Sequence, residues 1–265
     1  MMSNEKKRVI GLIPARMASS RFPNKPMAKI AGIPMIGHCY LRCKMSGLLD
    51  DLYVATCDKE IYDYIESIGG KAVMTADTHE RASDRCAEAL QIVEEKMGQK
   101  ADIMAMIQGD EPMIRPEMID QAIKPLLEEN EYVISNLMIT LKSDEEMANP
   151  NRVKVVVGRD DSALYFSREP IPSRKKWSGE IPMYCQTGII LFRRDFLFKY
   201  MEMEQCPLEK IESVDMLRVL ENGYKIKMVM IEDTTIGVDT PEDLEMATKA
   251  MEKDDLFRHY ADKRE

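Results

Sequence analysis

Apolar and polar positions alternate along this chain in two periods, and the switches between them outline an α/β protein. Arg8 to Ile13 (RVIGLI) is a continuous apolar run of strand length, ended by Pro14. A polar loop, RMASSRFPNKPM, follows it, and apolar spacing near 3.6 then predicts a helix from about Pro34 to Ser46. Asp51–Thr56 reads as a strand and Lys59–Ser67 as a helix. Gly69–Gly70 is a turn, and KAVM is a short strand. Ser83 to Lys96 has helical spacing, and Ala101–Ile107 is again a buried-strand run. Strands alternating with helices in this way predict βαβ units and a largely parallel sheet.

The second half is less regular. Strand patterns cover Tyr132–Leu137, Arg152–Val157, Ala163–Ser167, Thr187–Phe192 and Lys225–Ile231, with a helical stretch at Glu209–Glu221. Glu169 to Pro182, rich in Pro, Lys and Ser, reads as an excursion from the core. Thr240 followed by Pro241 marks a helix start, and the highly charged tail from Lys253 is expected to fray. With no repeat, low-complexity tract or linker, residues 1–265 are expected to form a single domain. An inserted arm for dimerisation or substrate is expected within about 135–195.

Composition narrows the function. The chain has 265 residues, 45% hydrophobic and 31% charged, with a net charge of -9. That balance suits a globular protein and argues against nucleic-acid binding. No run approaches the roughly 20 apolar residues of a membrane span, and no apolar leader precedes the first strand, so a cytoplasmic location is expected. Six cysteines without zinc spacing are expected to be reduced structural thiols.

Three pieces of chemistry remain. Loops at the carboxyl ends of parallel strands form the ligand crevice of an open α/β sheet. The loop after the first strand carries Arg16, Ser19, Ser20, Arg21 and Lys25, cations and small residues suited to a triphosphate. Charge alone is equally explained by a solvated loop; its place in an acidic chain favours phosphate. It is neither a GxxxxGK[ST] nor a GxGxxG loop. The apolar run Ile103–Ile107 stops at Gln108-Gly109-Asp110-Glu111-Pro112, and Thr235–Val238 leads into Asp239. Each aspartate singly is explained as a turn or helix-cap residue. Together, from two separate strand ends beside the basic loop, they offer the hard oxygens that Mg2+ takes along with substrate phosphates. The three histidines, His38 in a helical pattern, His79 in a loop and His259 in the tail, are read as structural or solvated.

At these residues the chain resembles the 3-deoxy-manno-octulosonate (Kdo) cytidylyltransferases. The resemblance lies in IPARMASSRFPNKPMAKIAGIPMI, QGDEPMI, NPNRVKVV, ALYFSREPIP, PLEKIES…LRVLENG and VDTPEDLE, which run in order over nearly the whole chain. It implies a GT-A/Rossmann-like nucleotide-diphospho-sugar transferase fold, a mostly parallel sheet flanked by helices with an inserted β arm. It also implies a homodimer that moves CMP from CTP to a 2-keto-3-deoxy sugar acid for surface (lipo)polysaccharide. By the resemblance Arg16, Ser19, Arg21 and Lys25 hold the triphosphate, and Ser83 and Arg85 lie near the nucleotide. Asp110 and Asp239 bind Mg2+. Gln108, Arg168, Gln186 and Glu209 or Glu212 face the sugar, and Arg16, Lys25 and Asp110 are the catalytic set.

One strand departs from the pattern. The family reads roughly HLGIYGYR where this chain has YCQTGIILFRR, with Gln186 in the place of the histidine and Ile190 in that of a tyrosine. Glutamine can hydrogen-bond but cannot become charged. The acceptor therefore stays open between Kdo and another acceptor, an 8-amino Kdo analogue, a different ulosonic acid or a phosphonate. A nucleotide-binding protein without turnover is the alternative of a different class.

Overall fold

The computed structural model describes residues 6–18, 22–232 and 236–261. In chain order the elements are β1 (Val9–Ala15), a 3-10 turn (Lys25–Met27), β2 (Lys29–Ile30), β3 (Ile33–Pro34), α1 (Met35–Cys43), β4 (Asp51–Thr56), α2 (Lys59–Ser67), β5 (Ala72–Met74), α3 (Ala82–Met97), β6 (Ile103–Ile107) and α4 (Pro116–Glu128). They continue as β7 (Tyr132–Thr140), α5 (Asp144–Ala148), β8 (Lys154–Val157), β9 (Ala163–Ser167), β10 (Tyr184–Arg193), α6 (Arg194–Glu202), α7 (Pro207–Glu212), α8 (Met216–Glu221), β11 (Lys225–Met230), α9 (Pro241–Met251) and α10 (Asp255–Ala261). The chain divides within α4 into two compact units, Met1–Asp120 with Thr235–Glu265, and Gln121–Thr234. No described helix is long and apolar enough to cross a membrane.

The first unit holds four parallel strands in the order β6-β1-β4-β5. β1 is hydrogen-bonded along both edges, to β4 and β6, and α1 and α3 pack on it, so all but one of its residues are buried and its sequence is apolar throughout. A Cβ at Gly11 would stand 2.7 Å from Leu52 Cδ1, so a larger residue there would have to displace that side chain. Leu12 lies across from Tyr53 on one side and Met106 on the other. Parallel pairing brings the carboxyl ends of β1, β4 and β6 to one edge, where the loops that carry chemistry leave the sheet.

In the second unit β7 is flanked by β11, parallel, and β10, antiparallel; β8 pairs with β10 and with β9 in antiparallel fashion. The register of β10 against β7 slips between Gln186 and Ile190. Buried Asn136 holds this bulge, its amide donating to Thr187 O (3.1 Å) and Ile189 O (2.8 Å).

Three sequence expectations need correcting. The stretch Glu209–Glu221 is two helices, α7 and α8, because Ser213 between them takes a left-handed conformation (φ 52°). The approach to Asp239 is not a strand: the described residues from Ile236 to Asp239 are irregular. The charged tail does not simply fray, since α10 docks through Tyr260, which is 4% exposed.

Candidate active site

The edge of the first unit opens into a cleft of about 360 Å³. Its walls include Arg16 and Lys25 from the loop after β1, Arg81 and Arg85 from the start of α3, and Gln108 and Asp110 from the turn after β6. The loop leaves β1 under control: Met17 N donates to the Asp58 carboxylate at 2.8 Å. Arg16 is exposed and reaches His79 O at 3.5 Å. Ser19, Ser20 and Arg21 lie outside the described residues.

The electrostatic centre is Lys25. Its Nζ lies 2.8 Å from Asp110 Oδ2 and 3.2 Å from Asp239 Oδ1, so one cation stands between two carboxylates from distant parts of the chain. Burial pulls the ammonium's pKa down, but the two carboxylates prevail and hold it above the usual lysine value. A raised pKa contributes stability at every pH below the ordinary lysine value, and that contribution is lost only as pH climbs through the raised one. Lys25 is therefore a permanent cation at physiological pH.

Backbone contacts hold the pair in place. Val238 N donates to Asp110 O at 2.9 Å, joining the two aspartate segments directly. Asp239 then leads into α9 through a capping box. Thr240 Oγ1 accepts from Asp243 N (3.2 Å), while the Asp243 carboxylate accepts from Thr240 N (2.9 Å) and Asp239 N (3.0 Å). Burial would raise the Asp243 carboxyl, but these bonds outweigh it and hold its pKa below the ordinary 3.8. Asp243→Asn is expected to cost about 1 kcal/mol at neutral pH. The deficit should shrink as pH falls below that ordinary value, because wild type then loses the same contribution. Urea melts of both proteins at pH 7 and pH 3 check this.

The start of α3 supplies unmet donors. Arg85 is 3% exposed; its Nη1 donates to Thr75 Oγ1 (2.5 Å) and Ala76 O (3.2 Å), while buried Nη2 has no partner among the described residues. The buried Ser83 Oγ is likewise unpaired. Buried polar groups without partners are uncommon and point to a missing ligand or water. Arg81 occupies the N-cap position of α3 and lines the same cleft.

In the second unit the residues named for the sugar are strongly engaged. Arg168 donates to Pro150 O (2.8 Å), Glu212 O (2.8 Å) and Ser213 O (2.9 Å). The Glu212 carboxylate accepts from Ser167 Oγ (2.7 Å), Arg168 N (2.9 Å) and Tyr165 OH (3.3 Å), and these bonds outweigh burial to lower its pKa. Glu209 is 2% exposed and paired through both oxygens to Arg218, at 2.6 and 2.7 Å. Gln186 lies at the β10 bulge, and its buried Oε1 has no partner among the described residues.

The structure thus gathers Arg16, Lys25, Arg85, Gln108 and Asp110 around the cleft of the first unit, sets Asp239 against Lys25, buries Ser83 on the same helix as Arg85, and joins Arg168 with Glu212 in the second unit. Sequence reasoning missed Arg81, two positions before Ser83 but indistinguishable there from any arginine at a helix start. It also missed Asp243, whose signal was the T-P-E-D spacing of a capping box.

A parallel sheet whose strand ends present a cationic cleft and Asp110, with Asp239 brought beside it on an irregular segment, marks a nucleotide-handling α/β protein. Residues 10–226 match the cytidylyltransferase family model. The 3-deoxy-manno-octulosonate cytidylyltransferase of Geobacter metallireducens is 40% identical over 256 residues, covering 93% of this chain and 98% of that protein. The structure of CMP:2-keto-3-deoxy-manno-octonic acid synthetase complexed with CTP superposes with a TM-score of 0.86 at 36% identity, over 93% of this chain and 99% of that one. The 4-diphosphocytidyl-2C-methyl-D-erythritol synthase of Anaerococcus prevotii shares the fold alone, with a TM-score of 0.60 at 15% identity over 94% of this chain and all of that one. The chain belongs to the cytidylyltransferases, within the 3-deoxy-manno-octulosonate cytidylyltransferase family, and has their α/β nucleotidyltransferase fold.

Proposed function

We propose that this protein transfers CMP from CTP to 3-deoxy-manno-octulosonate and releases pyrophosphate. The observation that carries the reading is the Lys25 ammonium between Asp110 and Asp239 in an arginine-lined cleft, on a chain so similar to named enzymes of this activity. The sugar's anomeric hydroxyl attacks the α-phosphorus. A new O–P bond forms, the bond to the β-phosphate oxygen breaks, and the hydroxyl proton leaves to water. Such a transfer needs positioning and charge stabilisation rather than a covalent intermediate.

Arg16, Lys25 and Arg85 would take the charge of the triphosphate and the departing pyrophosphate, and Ser83 would bind beside Arg85. The carboxylates of Asp110 and Asp239 already flank a cation, and they would hold Mg2+. Two carboxylates from the protein suffice for such an ion, because Mg2+ keeps waters and takes phosphate oxygens from its substrate. Bound there, it would neutralise the phosphates and polarise the α-phosphoryl group.

In the second unit Arg168, Glu209 and Glu212 would be the framework of the acceptor's site, and Gln186 the group that reads it. Pyrophosphate release measured with CTP, Mg2+ and a panel of acid sugars tests the reading. Release should require all three together, and no release with any 2-keto-3-deoxy acid would overturn it.

The departures at Gln186 and Ile190 favour a second reading of the acceptor, a close analogue of the sugar. Gln186→His is expected to change relative rates among acceptors by roughly tenfold, the scale of one or two hydrogen-bond contributions, and to leave the KM for CTP nearly unchanged. Equal effects on every acceptor would remove Gln186 from acceptor choice.

A further inference from the structure

Two polar side chains on α1, His38 and Arg42, are completely buried and take no part in the chemistry above. Four residues apart, they project from one face of the helix. His38 Nε2 lies 2.8 Å from Ile30 O, and Nδ1 lies 2.7 Å from Tyr260 OH. A carbonyl can only accept, so Nε2 carries the ring proton and Nδ1 of the neutral ring accepts from the tyrosine hydroxyl. Burial pushes the Tyr260 phenol up to about 12 against the pull of Arg42, so the hydroxyl keeps a proton to donate. Its oxygen accepts from Arg42 Nε at 3.0 Å. The hydrogen bonds therefore run one way, from Arg42 to Tyr260 to His38 to Ile30. Arg42 also donates to Ile114 O (3.4 Å) and pairs with Asp254 Oδ1 (3.0 Å).

These partners sit on the three segments that carry the site. Ile30 follows Lys25 on the same short segment, and Ile114 closes the turn 111–114 directly after Asp110. Asp254 and Tyr260 belong to the helical end that continues from Asp239. Apolar packing follows the same route, since Ile30, Met35, Val238, Ala247 and Met251 form one buried cluster. We infer that His38 and Arg42, acting through Tyr260, are positioning residues that set the spacing of Lys25, Asp110 and Asp239. The catalytic consequence rests on the cytidylyltransfer reading; the geometry does not.

Arg42→Ala would strip Asp254 of its cation and can simply fail to fold, so Tyr260→Phe, which removes one hydroxyl, carries the test. In metal-free protein, hydrogen exchange by mass spectrometry should be about fivefold faster or more across 22–30 and 236–251, with β1 and β4 unchanged. The MgCl2 concentration for half-maximal pyrophosphate release should also rise about fivefold, while kcat at saturating Mg2+ stays within about twofold. Val93→Ala, in the buried face of α3, controls for lost stability and should leave the Mg2+ requirement alone. Unchanged exchange across 236–251, equal acceleration in β1 and β4, or an unchanged Mg2+ requirement in an active enzyme overturns the inference. If wild type releases no pyrophosphate with CTP, Mg2+ and any acceptor, the cytidylyltransfer reading fails and the exchange pattern alone decides this one.

Discussion

Asp110→Asn is expected to slow pyrophosphate release about a thousandfold or more, the scale on which enzymes lose a group that stabilises transition-state charge. The fold should survive, for a structural reason. Asp110 joins the two aspartate segments through its backbone carbonyl, which accepts from Val238 N, and an asparagine keeps that bond. Its side-chain oxygen can still accept from Lys25, now 2.8 Å from the carboxylate. What the substitution removes is one full negative charge from the cation-binding pair. Melting curves should therefore shift only modestly, since Asp239 still pairs with Lys25, while the rate collapses and more Mg2+ is needed. A near-normal rate with an unchanged metal requirement would take Asp110 out of the mechanism.

How much of this could be read from the chain depends on how local the cause is. β1, β4 and β6 were legible because strands buried in a parallel sheet are continuous apolar runs, and the start of α9 because Thr240-Pro241 is a local capping signal. The split between α7 and α8 was not, because it turns on a left-handed Ser213, a residue that carries no turn signal of glycine's kind. α10 was hidden by its charge, since its docking depends on Tyr260 finding His38 and Arg42 more than two hundred residues earlier. In the site, the residue types were visible, and so was the strand-end placement of the basic loop and of Asp110, but not the irregular approach to Asp239. The bridge was not: Lys25 meets Asp110 across 85 positions and Asp239 across 214, and no periodicity encodes such a meeting. The resemblance supplied the names of residues, whereas the geometry adds that Lys25 already occupies the space between the two carboxylates.

That position gives Lys25→Met two separable effects. The lysine side chain is 14% exposed, and Asp110 and Asp239 are 33% and 45% exposed, so the three charges interact in a partly dry setting. Methionine fills similar volume but removes the ammonium that stands between the two carboxylates. In EDTA the variant should lose on the order of 2 kcal/mol, less than the full cost of breaking a buried pair because water still reaches both acids. Added Mg2+ should then restore more stability to the variant than to wild type. In the variant the ion meets the two carboxylates with no lysine between them, whereas in wild type it must compete with that ammonium, and its contribution grows with its affinity. Turnover should nevertheless stay roughly a hundredfold down or more at saturating Mg2+, since the charge opposite the phosphates is still missing. Melting curves across a MgCl2 series, read beside pyrophosphate release, separate the two effects. Equal Mg2+ stabilisation of both proteins would mean that Lys25 and the metal do not share the pair, and Asp110 and Asp239 would then need another explanation than a cation site.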